Sequence, residues 1–118
     1  MTMQPTTTYE PGDVVTVRFQ FRDNERPKPR PAVIISVSAY HDSRLDAVMM
    51  AITGGTDRDY FGDCPLQDWQ KAGLLKESTA KGVIRTIERS KIHGRLGQLS
   101  SSDRERLRSS LRAIFGLQ

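Results

Sequence analysis

At 118 residues the chain has room for one compact domain, here 1–118, and not for two. Hydrophobic residues make up 36% and charged residues 27%, the balance of an ordinary soluble globular protein and not of a disordered one. The longest apolar run outside the first strands, Ala47 to Ile52, is far short of the ~20 residues that span a bilayer. The opening stretch, MTMQPTTTYE, has neither the basic head nor the apolar run of a signal peptide, and a lone cysteine, Cys64, suits a reducing compartment. The expectation is a cytoplasmic single domain.

Net charge is +4, and thirteen of the eighteen cations are arginine. A guanidinium is a planar fork of donors that matches phosphate oxygens, so the bias favours an anionic partner such as nucleic acid. An arginine-rich genome with solvated surface charges would leave the same mark.

In chain order, "PGDVVTVRFQF" opens with a turn and then alternates. Val15, Val17 and Phe19 fall on one face of a strand, Thr16 and Arg18 on the other. "RDNERPKPR" reads as a charged loop whose prolines exclude regular structure. "PAVIISV" is a short apolar run rich in β-branched residues, as in a strand buried on both faces. "DAVMMAIT" is a third strand, ended by Gly54-Gly55, and Thr56 to Asp63 is a polar loop. Asp68 to Gly73 reads as a short helix with Asp68 as N-cap. "GVIRTIE" is a further strand, followed by a small apolar patch at Leu96 to Leu99. The last element is a helix: Ser102 and Glu105 make a capping box, Leu107, Leu111, Ile114 and Phe115 recur at helical spacing, and Gly116 closes it. The elements add up to a mainly β fold, a small antiparallel barrel with a helix packed on it.

No metal is expected, since His41 and His93 lack further ligands at a zinc spacing. His41-Asp42 reads as a solvent-exposed turn, Cys64 as a buried inert thiol, and Gly54-Gly55 as a turn without the GK[ST] ending of a P-loop. Arg104, Arg108 and Arg112 lie four apart, a basic stripe that reads as a solvated flank. Arg30 differs, because Pro29 and Pro31 hold it at the mouth of an apolar strand. If the strands from Pro31 and Asp46 pair as an antiparallel hairpin, Arg30 and Thr53 meet at one end of the sheet. Glu25 ends the same loop, so a carboxylate, an arginine and a hydroxyl converge where a phosphate could be held and a proton moved.

The order and spacing of "PGDVVTV", "RPAVIIS", "MMAITG", "IRTIERSKI" and "GRLGQLSSSD" before a terminal helix resemble the MazF/PemK family of toxins from bacterial toxin–antitoxin operons, its PemK-like branch above all. The resemblance implies a homodimer of SH3-like β-barrels. It also implies metal-free, cofactor-free, sequence-specific cleavage of single-stranded RNA by the RNA's own 2′-hydroxyl, restrained by a cognate antitoxin. The family's arginine and threonine fall on Arg30 and Thr53, and Glu25 matches a glutamate that many members carry five positions before the arginine. Arg18, Lys28 and Arg85 would hold the RNA backbone. Where some members place an acid and an arginine, this chain has Gly82 and Ala80. The competing reading is a non-catalytic module of the same fold that binds RNA, the antitoxin or operator DNA.

Overall fold

The computed structural model describes residues 8–20, 24–55 and 59–118. Along the chain come β1 (Asp13–Phe19), β2 (Lys28–Ile34), α1 (Ser38–Arg44), β3 (Asp46–Gly54), β4 (Cys64–Pro65), β5 (Ser78–Glu88), β6 (Ile92–Gln98) and α2 (Ser101–Phe115). They form one six-stranded sheet in the order β4-β5-β3-β2-β1-β6, with antiparallel neighbours throughout. Among the described residues no helix is long and apolar enough to cross a membrane.

The period-two pattern expected for β1 holds, and the sheet is apolar on both faces. Val15 and Val17 join Ala32, Ile34, Ala47 and Met49 in one core, with Phe19 packed against it. Val14 points the other way, to Val33, Met50, Ile52 and Leu107. β2 therefore contributes to both cores, as its unbroken apolar run requires. The α2 face is legible too: Leu107 is buried, and Leu111 and Ile114 pack beside it. Phe115 departs from the expectation; it is 57% exposed at the end of the helix, just before the Gly116 cap.

Five further expectations are corrected. The sheet is an open ladder, and β4 and β6 do not pair among the described residues, so the antiparallel architecture is present but the closed barrel is not. β2 begins at Lys28, inside the segment read as loop. Pro29 and Pro31 oppose Arg18 and Thr16 of β1, whereas the β3 ladder starts only at Ala32. A proline is tolerated where a strand is bonded on one side only. Asp68–Gly73 makes overlapping turns instead of a helix, with Ala72 N–H donating to the carbonyls of Asp68 and Trp69 at 3.3 and 3.2 Å. Gly73, at φ +82°, stops the chain after one turn. The patch at Leu96 to Leu99 belongs largely to β6. Finally, His41 lies in α1 and is 1% exposed. Its Nε2 sits 2.6 Å from Ser36 Oγ, which accepts the Val48 N–H at 2.8 Å. Burial first, and then the charge of Arg89, lower the His41 pKa.

The cap of α2 is also displaced by two residues. Ser100 is the N-cap, its Oγ accepting from Asp103 N–H at 3.1 Å. Asp103 is fully buried and does more than complete that turn. Its carboxylate accepts from Gln67 N–H (3.1 Å), Asp68 N–H (2.8 Å) and Arg106 Nη1 (3.0 Å), tying α2 to the turn before Gly73. That turn lies against β6: a Cβ added at Gly97 would stand 2.7 Å from the Ala72 carbonyl, and one at Gly73 would stand 2.2 Å from that of Leu96. Asp103→Ala leaves two part-buried N–H groups and the Arg106 guanidinium without their acceptor and should cost about 2 kcal/mol, while Asp103→Asn, which keeps an acceptor, should cost clearly less. Urea midpoints at constant slope measure both.

Candidate active site

Because side chains alternate along a strand, Arg30 shares a face with Ala32 on β2, and Thr53 shares a face with Ala51 on β3. Ala32 opposes Ala51, and the same register carried two residues further sets Arg30 against Thr53. The apolar face that begins with Met49 and Ala32 thus turns polar at one end of the sheet.

A cavity of about 550 Å³ opens there. Its walls include Glu25, Arg30, Thr53, Lys81 and Arg85. Glu25 Oε1 accepts from Arg30 Nη2 at 2.7 Å, and the two side chains are 33% and 16% exposed. The guanidinium is therefore aimed twice, by the prolines on its backbone and by a carboxylate on its fork. The fork geometry gives such a contact direction as well as charge.

The residues expected to hold an anion fall around this centre. Arg85 stands on the cavity wall and on a second groove, of about 820 Å³, that also includes Arg18, Lys91 and His93. Lys28 lines a third cavity, of about 610 Å³, which shares Arg30 and Thr53 with the first. All six predicted residues thus border three adjoining concavities, and Glu25, Arg30, Thr53 and Arg85 border one.

Lys81 and Asp63 were not anticipated. Lys81 pairs with the Asp63 carboxylate, and their side chains are 17% and 3% exposed. Lys81 Nζ also lies 5.2 Å from the centre of the Tyr60 ring. Asp63 accepts from the N–H groups of Tyr60 (2.8 Å) and Gly82 (2.9 Å). Burial alone would push the Asp63 carboxyl up. The hydrogen bonds from Lys81, Tyr60 and Gly82, with the charge of Lys81, outweigh it and hold the group below its ordinary 3.8. The two-residue period of β5 could have placed Lys81 beside Val83 and Arg85; nothing in the loop sequence marks Asp63.

Cys64 is 2% exposed, and burial raises its thiol, as expected of an inert group. No cluster of three or more metal-ligating side chains occurs among the described residues.

Residues 10–115 match the family model of the PemK-like, MazF-like toxins of type II toxin–antitoxin systems. The chain belongs to that family. Comparison with curated proteins gave no match. Among solved structures, the chain is similar to MazF from Deinococcus radiodurans, with TM-score 0.75 and 18% identity over 95% of this chain and 100% of that one. It is similar to the Mycobacterium tuberculosis toxin MazF-mt6, with TM-score 0.73 and 19% identity over 90% and 98% of the two chains. A mycobacterial endoribonuclease in complex with its cognate antitoxin is a third neighbour, with TM-score 0.73 and 17% identity over 92% and 96%. At these identities the structural likeness establishes a shared fold, and the family rests on the sequence model.

The depressed Asp63 pKa has a definite sign. Stability from this carboxylate is complete above its unfolded value and is lost as pH falls through the lower folded value. Asp63→Asn should therefore flatten the acid limb of the stability curve below about pH 4, read as urea midpoints against pH.

Proposed function

We propose that this family member is an endoribonuclease toxin that cuts single-stranded RNA at short sequences, without a metal, by attack of the RNA's own 2′-hydroxyl. The observation that carries the reading is the single cavity bordered by Glu25, Arg30 and Thr53. In-line attack forms the 2′-oxygen–phosphorus bond and breaks the bond to the 5′-oxygen, leaving a cyclic phosphate and a free 5′-hydroxyl. Negative charge grows on the non-bridging oxygens as this happens. Arg30, fixed before the substrate arrives, meets that charge without reorganising, and Thr53 donates a hydrogen bond to the same phosphate. Glu25 takes the proton of the 2′-hydroxyl.

Arg18, Lys28 and Arg85 carry the backbone on either side, and cleavage specificity comes from the loops around the cavity. Single-stranded RNA suits the chemistry, because only a splayed backbone lets the 2′-oxygen swing in line and exposes base edges. Family membership supports a cytoplasmic homodimer held in check by a cognate antitoxin, an acidic and partly disordered protein lying across the basic face. The antitoxin complex among the structural neighbours supports the same partner. Together the two proteins would engage operator DNA.

The test is to incubate wild type and Arg30→Ala with a long single-stranded RNA in EDTA and map the ends. Discrete cuts with 5′-hydroxyl ends are expected from wild type, slowed roughly 10²–10³-fold in the variant. Folded wild-type protein that leaves RNA whole would instead support a binding module.

A further inference from the structure

The cleavage just described accounts for the proton that leaves the 2′-hydroxyl but not for the one that the departing 5′-oxygen requires. An alkoxide is a poor leaving group, and a positioned general acid is worth roughly 10²–10⁴-fold in such a step. The donor must stand opposite the base, because nucleophile and leaving group lie in line through phosphorus.

Sheet order supplies the geometry. β3 lies between β2 and β5, and Thr53 is on β3. Glu25 and Arg30 reach the cavity from the β2 flank, and Lys81 reaches it from β5. Two inter-strand steps separate these flanks, about 10 Å in all. A phosphate above Thr53 therefore has a carboxylate on one side and an ammonium on the other.

Chemistry narrows the choice further. A guanidinium as a class of group is too weak an acid to serve as the donor. An ammonium can give up a proton and recover it from solvent. Lys81 carries three N–H bonds, and it stands on the cavity wall while it holds Asp63. The Asp63 carboxylate is itself anchored by two backbone N–H groups, and that fixes where Nζ stands.

We propose that Lys81 is the general acid of the cleavage, passing a proton from Nζ to the 5′-oxygen as its bond to phosphorus breaks, with Asp63 as the residue that positions it. The step rests on the ribonuclease reading above. It balances: Glu25 gains the 2′-proton, the 5′-oxygen gains the Lys81 proton, and solvent exchange restores both side chains.

The experiment compares two RNAs cut at one mapped site, one natural and one with sulfur in place of the bridging 5′-oxygen. A thiolate departs without a proton, so an enzyme that lacks only its acid cleaves the sulfur substrate well. Wild type should cut both. Lys81→Ala should lose roughly 10²–10⁴-fold on oxygen and less than about tenfold on sulfur. Lys81→Arg, which keeps the charge and withholds the proton, should share that pattern. Because Lys81→Ala leaves a buried carboxylate without its cation, the double change Lys81→Met with Asp63→Asn serves as a second, better-folding probe with the same expected ratio. Equal losses on the two substrates, or full activity of the variants on oxygen, would overturn the assignment while leaving the ribonuclease reading intact. Wild type that cuts neither RNA removes both.

Discussion

The pairing of β2 with β3 is the constraint on which the site depends. Ala32 against Ala51 buries both strands and, two residues further on, sets Arg30 beside Thr53. If β2 slipped by one residue, all its side chains would exchange faces, driving Ile34 out of its core and Arg30 into the other. The apolar cost of such a slip is large, so the core fixes the backbone positions from which the ion pairs then aim the polar side chains.

Two ion pairs border the cavity, Glu25 with Arg30 and Asp63 with Lys81. They differ in setting. The first is partly open to water, in keeping with groups that must meet an incoming phosphate. The second is more deeply enclosed, with a carboxylate that two backbone N–H groups also hold. Charges arranged before the substrate arrives require little rearrangement during reaction, which is where enzymes gain most from electrostatics.

β1, β2, β3 and β5 were legible, β1 from its period of two and β2 from an unbroken β-branched run, and the alternation along β2 and β3 carries Arg30 and Thr53 to a common edge. β4, β6 and the elements without such a pattern were not. α1 (Ser-Ala-Tyr-His-Asp-Ser-Arg) buries one side chain, His41, and so has no apolar stripe to reveal it. The start of α2 offered serines at 100, 101 and 102, and the choice among them falls to Asp103, whose role depends on a turn thirty-five residues away in sequence. Asp63 reaches its place through a loop fold that no local pattern encodes. Phe115 continued the helical stripe on paper, but as the last residue of α2 it is left exposed.

The open ladder has a consequence for how the chain behaves in crowded solution. One margin, β4, is two residues long and includes a proline; the other, β6, carries glycines at 94 and 97 and meets β1 with two breaks in register. The β6 border presents no long, flat row of unpaired amides on which a second copy could add strand to strand. On the other side β4 covers only Thr79 and Ala80 of β5, and the exposed charges of Arg85 and Glu88 guard the rest of that strand's outer edge against fibril growth.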